Sequence, residues 1–326
     1  MHGNRKMDCK KMFAAALVLA GLSWGQSEMV AQNGSTGSSD IEFAYDAGAE
    51  VVSAYLWRGQ YLGGLSFQPD AEVGFNALGG DVTFRAGLWA NIGASDWKFQ
   101  KDLAELPGYN PNTYFVPELD VMLTATAYGA SVGFTHYYYC DGSNFFSWKN
   151  ASDNALEDNS SSTEFWFGYN FDHFFGVGAY INWYTTIAGR DLLPETDLKK
   201  LANNQTHRNA FSTYIELGYD YDLSQTGIQW MDGITVGAQM GISPWESEEM
   251  YYNTRFAVVN LALSLHKEWE FDICTLDLFA VGSLNPYQMN DKNGYCYSSD
   301  AFVDAAGDDK RYMQPLNGTI GLGVWF

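Results

Sequence analysis

Between Ala47 and Phe326 the chain alternates apolar and polar positions over a dozen short segments, the period expected of β-strands with one apolar face. The segments fall at 47–57, 67–78, 81–92, 118–128, 130–140, 163–171, 175–187, 210–221, 233–243, 255–266, 272–284 and 316–326. The third is the clearest: Val82, Phe84, Ala86, Leu88, Ala90 and Ile92 share one face, and Thr83, Arg85, Gly87, Trp89 and Asn91 share the other. The fourth repeats it, with Leu119, Val121, Leu123, Ala125 and Ala127 set against Asp120, Met122, Thr124 and Thr126. Most segments reach the ~9–11 residues that a tilted membrane-crossing strand needs.

Alternation alone fits a soluble barrel as well as a membrane barrel, because either has one apolar face. Connection lengths separate them. Tight turns are expected at Gly79-Gly80, near Gly129, at Asp172-His173-Phe174, from Ser224 to Met231 and from Lys267 to Phe271. Long polar connections lie between them, the largest at 93–117, 141–162, 188–209 and 285–315. Short turns on one side and long loops on the other describe an outer-membrane barrel. The expected fold is therefore all-β, an antiparallel up-and-down transmembrane β-barrel of about 12 strands over 47–326. Both termini are placed in the periplasm and the long loops outside. The last strand has Ile320, Leu322, Val324 and Phe326 on one face, and the terminal aromatic Phe326 is read as an assembly signal.

The N-terminus adds a targeting pattern. Arg5, Lys6, Lys10 and Lys11 flank an apolar run from Met12 to Leu22 that ends at small residues, which predicts a signal peptide over 1–25, with cleavage as late as residue 31 equally acceptable. Residues 26–46 are read as an N-terminal polar segment. The apolar run is too short to span a bilayer as a helix, and no later window approaches the ~20 residues required.

Removing residues 1–25 takes out those four basic residues and Asp8, leaving 14 basic and 38 acidic residues and a formal charge of −24. So acidic a chain is a poor partner for nucleic acid, whose phosphates are bound by Lys and Arg. Disorder is disfavoured by 46% hydrophobic and 16% aromatic residues. Of the cysteines beyond the signal, Cys140 and Cys296 fall in outer regions where pairing is an open question, and Cys274 is left single on a strand.

Alternation directs Glu50, Asp70, Glu72, Arg85, Asp120, Glu164, Glu216 and Asp277 to the lumen. Glu72, Arg85, Asp120, Glu216 and Asp277 are the candidates for setting selectivity, and their negative sum predicts a preference for cations. Glu72 and Arg85 lie on adjacent strands, where they either brace the wall as an ion pair or form a constriction charge pair. Lumen-facing Gly74, Gly87, Gly133, Gly168 and Gly178 are expected to leave room for an open path. Acidic loop stretches such as Glu246 to Glu249 and Asp308-Asp309 are read as solvated charge, with weak divalent-cation binding as the alternative, and lack calcium-loop spacing.

Catalysis finds little support. A Ser–His pair two residues apart on one strand occurs only as Ser264 and His266, directed to the lumen where lipid would not reach it. No zinc spacing, phosphate loop or nucleotide-binding glycine pattern is evident. No cofactor is implied.

One segment resembles a known family. Val52-Ser53-Ala54-Tyr55-Leu56-Trp57-Arg58-Gly59-Gln60, followed by Pro69 and Glu72-Val73-Gly74-Phe75, is similar to the first hairpin of the TorF-type porin family, whose members open with a strand ending in Tyr-x-Trp-Arg-Gly. The resemblance covers about 25 residues and is otherwise architectural; the longer loops and acidic insertions depart from the family pattern. It implies a Gram-negative outer-membrane barrel. Tyr55, Trp57 and Arg58 would sit at the outer rim as interfacial anchors, with solute binding as the alternative role. The expected function is a porin-like channel for passive diffusion of small hydrophilic solutes. The alternatives are a plugged structural or assembly barrel with partner-binding loops and, third, a lipid hydrolase. Expected partners are outer-membrane lipids, the barrel-assembly machinery and small solutes or cations, with homo-oligomerisation open.

Overall fold

A strand whose alternate residues differ in polarity can satisfy both faces only if its sheet separates two environments, and a closed sheet does so with no unpaired edge. The computed structural model takes that form. It describes residues 41–93, 118–139, 145, 161–171, 175, 178–189, 191–194, 196–202, 207–247, 250–251, 253–287 and 316–326. The strands are β1 (Ile41–Val52), β2 (Tyr55–Trp57), β3 (Gln60–Gly63), β4 (Ser66–Ala77), β5 (Val82–Gly93), β6 (Glu118–Ala127), β7 (Ala130–Tyr139), β8 (Ser161–Asn170), β9 (Ala179–Gly189), β10 (Leu192–Pro194), β11 (His207–Asn209), β12 (Thr213–Asp222), β13 (Ile234–Ser243), β14 (Ala257–Glu270), β15 (Thr275–Leu284) and β16 (Leu316–Trp325).

Twelve of these close an antiparallel barrel in the order β1, β16, β15, β14, β13, β12, β9, β8, β7, β6, β5, β4. The seam between the first and last strands pairs Gly48 with Trp325 through to Val52 with Gly321, and the Phe326 amide donates to Ala47 O at 2.9 Å. β2–β3 and β10–β11 form separate two-stranded sheets. Among the described residues no helix is long and apolar enough to cross a membrane.

The outward face is apolar from strand to strand. Ile41, Phe43, Val73, Phe75, Phe84, Leu88, Leu123, Phe134, Leu263, Leu265 and Ile320 are all exposed there. Edge-to-face pairs such as Phe43–Phe75 and Phe134–Phe165 run across adjacent strands. A continuous apolar band of this kind belongs against a non-aqueous neighbour. The connections segregate as the sequence predicts: β4–β5, β6–β7, β8–β9, β12–β13 and β14–β15 meet at one end, with Ile41 and Phe326, and the other six connections lie at the opposite end.

Several details differ from the sequence reading. The first strand begins at Ile41, inside the segment 26–46 read as polar and non-strand, because Glu42, Ala44 and Asp46 alternate with outward Ile41, Phe43 and Tyr45 and pair with β4. It also ends at Val52, five residues before Trp57. β14 runs on through Lys267–Glu270, so the turn expected there falls at 271–274, and Cys274 sits in that turn instead of on a strand. The signal peptide, Cys140, Cys296, the 172–174 turn and most of the long loops lie outside the described residues.

The lumen-facing glycines do not open a path. Aromatic rings from the neighbouring strand lie across several of them: Trp166 over Gly133, Tyr180 over Gly218, Phe279 over Gly321 and Trp325 over Gly48. A Cβ at Gly87 would meet Met122 and Glu72, one at Gly168 would meet Asn182, and those at Gly74 and Gly178 would meet backbone carbonyls of the next strand. Space left by the missing side chains is taken by neighbours.

Candidate functional site

At the end of the barrel that carries the long connections, the chain leaves β1, turns through Ser53 and Ala54, and enters the lumen as the β2–β3 hairpin. Its turn is made by Arg58 and Gly59, both with positive φ (48° and 82°). Two consecutive left-handed residues are what a tight two-residue hairpin turn requires, and Asn-Gly is the usual choice. Gly59 is required for a second reason: a Cβ there would lie 2.6 Å from Asn260 Oδ1 and 2.9 Å from Ser283 Oγ.

Barrel order shows where the hairpin points. It departs from β1 and returns to β4, which are neighbours; the strands diametrically opposite are β9 and β12. The Arg58 guanidinium lies 4.1 Å from the ring centre of Tyr184 on β9 and 4.8 Å from that of Tyr214 on β12. The hairpin therefore crosses the whole lumen. Its flanks touch the walls on either side. Toward β5–β7, Tyr55 packs on Trp89 and donates to Glu118 Oε2 at 2.9 Å, and Trp57 meets Tyr137 edge-on. Toward β16, Asn317 Nδ2 donates to Gly59 O at 3.0 Å and Ala54 N to Thr319 Oγ1 at 3.1 Å.

Arg58 is the centre of this arrangement. Its side chain is 0% exposed and forms a two-pronged pair with Glu164 on β8, Nη1 to Oε2 and Nη2 to Oε1, both at 2.7 Å. Nη1 also donates to the Tyr251 hydroxyl, and Tyr137 donates to Glu164 Oε1 at 3.1 Å. Tyr251 comes from the turn between β13 and β14 and stacks on Trp57 at 5.7 Å and 9°. Burial opposes the charge on Arg58, but the adjacent Glu164 more than offsets it and holds the guanidinium pKa well above its ordinary value. Tyr55, Trp57 and Arg58 are thus not rim anchors. Period-two alternation continues through Tyr55-Leu56-Trp57 and disguises a strand that has already left the wall.

Carboxylates line the lumen from the level of the hairpin, where Asp120 stands opposite Tyr137, down to the short-turn end, where Asp220 and Asp277 lie. The structure places Glu72, Arg85, Asp120, Glu216 and Asp277 on the inward face, together with Asp46, Asp70 and Asp220. Asp46 stands directly opposite Glu72 across β1 and β4. Among the described residues no side chain hydrogen-bonds the carboxylate oxygens of Asp70 and Asp220 or Oδ2 of Asp46, and Asn182 donates to Glu216 Oε1 at 3.3 Å. Arg85 makes no ion pair with Glu72: it donates to Phe75 O at 3.0 Å and to Asn76 Oδ1, reaching toward the turn because Gly74, its cross-strand neighbour, gives the stem a flat surface to follow. His266 Nδ1 lies 3.0 Å from Asp277 Oδ2 and the ring stacks on Phe279, while Ser264 Oγ makes no hydrogen bond to it. Among the described residues no cluster of three or more ligating side chains fits a metal ion.

Sequence reasoning missed Asp46 and Asp220 and the tyrosines at 137, 214 and 251. Alternation could have found all but Tyr251, which stands outside any strand.

No family model matches the chain, the TorF-type family included, and no curated protein matches it in sequence. One similar solved structure is OmpF of Salmonella typhi, in complex with daunomycin: 12% identity over 88% of this chain and 97% of that one, with a TM-score of 0.27. That likeness is too slight to bear on the site, and the barrel assignment rests on the chain's own strand pairing.

Proposed function

We propose that the protein is a cation-preferring channel of a Gram-negative outer membrane, with both termini periplasmic and with the lumen closed near its outer end by the β2–β3 hairpin. The TorF-type resemblance of residues 52–60 supports this reading, as does the apolar outer band. The single observation that carries the channel is the set of inward carboxylates that, among the described residues, have no cationic side chain bonded to them, Asp46, Asp70 and Asp220 above all. A carboxylate shut away without a counter-charge costs several kcal/mol or loses its charge, and cations entering the lumen are the counter-charge that this wall calls for. At physiological salt, charges are screened beyond ~8 Å, and wall residues therefore govern selectivity inside the lumen more than loop charge does.

Reversal potentials in a salt gradient test it on the purified, refolded barrel. Glu72→Gln with Glu216→Gln should reduce cation preference, and Arg85→Gln should raise it. Anion preference in the unmodified channel would sink the charge argument.

A second reading, a plugged barrel with a structural role, is favoured by the hairpin itself. If neither the native barrel nor one lacking the Arg58–Glu164 pair conducts at all, that reading replaces the first.

A further inference from the structure

We propose that the wall pocket around Glu164, Tyr184 and Tyr214 is a recognition site for guanidinium-bearing solutes, and that Arg58 is its tethered occupant. The inference deepens the channel reading by naming a solute class, and only the passage of that solute rests on it.

The pocket belongs to the wall and not to the hairpin. Glu164, Tyr184 and Tyr214 stand on β8, β9 and β12, and Tyr137 on β7 orients the carboxylate through its hydroxyl. Glu164 is 2% exposed with the hairpin docked on it, and withdrawal of the hairpin takes away the cation that both its oxygens contact and opens the carboxylate to another. Its geometry suits one kind of cation. Two carboxylate oxygens at 2.7 Å accept from two nitrogens of one planar group, and the aromatic rings, at 4.1 Å and 4.8 Å, attract a cationic centre. A compact ammonium cannot make the two-pronged contact, and a neutral urea lacks the charge.

The occupant shows its purpose by its position. Arg58 holds a φ of 48° at a turn where Asn or Gly would be easier, so the turn does not ask for arginine and the pocket does. β2 and β3 pair with each other and with no barrel strand, so the tip is attached mainly through side chains and can withdraw without breaking the wall. A free guanidinium solute competes with Arg58 for Glu164, and its binding favours the withdrawn hairpin.

The test titrates methylguanidinium, methylammonium and methylurea against detergent-solubilised barrel, following tryptophan fluorescence, since Trp57 and Trp166 flank the pocket. Native protein, Arg58→Ala and Arg58→Ala with Glu164→Gln are compared, each checked for folding by heat-modifiable mobility. The single variant should bind methylguanidinium saturably and methylammonium about tenfold more weakly, with no response to methylurea, and the added Glu164→Gln should cost about tenfold or more. Native protein should bind the same cation more weakly than Arg58→Ala, because only its withdrawn fraction is competent. Should Arg58→Ala fail to fold, Arg58→Lys, which keeps the charge and forfeits the fork, takes its place with the same expected order. Equal responses to methylguanidinium and methylurea, indifference to Glu164→Gln, or equal affinity with and without Arg58 each overturn the proposal. Bilayer conductance is scored separately: binding with no current in any variant keeps the site and sinks the channel, and current without methylguanidinium binding does the reverse.

Discussion

Replacing Glu164 by Gln isolates what holds the hairpin across the lumen. In the native chain both carboxylate oxygens accept from Arg58, and the pair is wholly buried. Gln keeps the shape but offers one oxygen, and turns an N–H toward the other guanidinium nitrogen. Removing one partner of a buried pair typically destabilises by about 3–5 kcal/mol, because the other charge is left uncompensated. The retained amide oxygen argues for the lower end. At ~1.4 kcal/mol per decade, the docked-to-withdrawn ratio should fall by about a hundredfold. Gly59 covers Ser283, so a cysteine at position 283, with Cys140, Cys274 and Cys296 changed to Ser, reports withdrawal through its rate of reaction with a charged thiol reagent. Labelling should accelerate by up to the same factor. The exposed pair Arg208–Glu246, at 3.2 Å, supplies the contrast: Glu246→Gln should leave the rate unchanged, since pairs in that setting contribute ~0–1 kcal/mol. Equal rates for native and Glu164→Gln barrels, both folded, would refute the reasoning and make the hairpin a fixed plug.

Gly59→Ala should undock the tip without touching its charge, because the new Cβ falls on Asn260 and Ser283 at a left-handed φ; the same thiol assay should show faster labelling and the thermal midpoint should fall. Phe326→Ala should lower the yield of heat-modifiable barrel, since Phe326 is outward-facing and its amide closes the β1–β16 seam; unchanged yield would count against an assembly role. Protease added to intact cells should cut within 141–160 and 288–315 and spare Leu78–Gly80 and Leu223–Met231; the opposite pattern would invert the barrel.

Most of the wall was legible because a β-strand reports its two faces at every other residue. The register that sends Glu72 and Asp70 inward also sends Val73 and Phe75 outward, and one observation fixes both. The interior was not legible in the same way. Tyr55-Leu56-Trp57 satisfies the alternation of a wall strand equally well as a free hairpin strand, because both have period two. The distinguishing marks are small: Ser53-Ala54 before the hairpin, Gly63-Gly64 after it, and a two-residue Arg-Gly turn between apolar flanks. That Arg58 finds Glu164, 106 positions away, depends on barrel closure placing β8, beside β9, on the far side of the lumen from the β1–β4 connection, which no local pattern encodes.

The rings lying over glycines bear on how such a wall is put together without error. A strand displaced by one residue is betrayed at once, because its apolar side chains turn inward. A displacement by two restores inside and outside, and polarity cannot detect it. The ring–glycine contacts can. Moved two places, Trp166 would face Ser131 or Thr135 in place of Gly133, Tyr180 would face Glu216 or Asp220 in place of Gly218, and Trp325 would face Asp46 or Glu50 in place of Gly48. Each mismatch drives an aromatic plane into a side chain that has nowhere to go. Such contacts act as keys cut to one alignment, spaced around the circumference and including the closing seam, so that a barrel whose outer surface is nearly uniform still has a single way to zip shut.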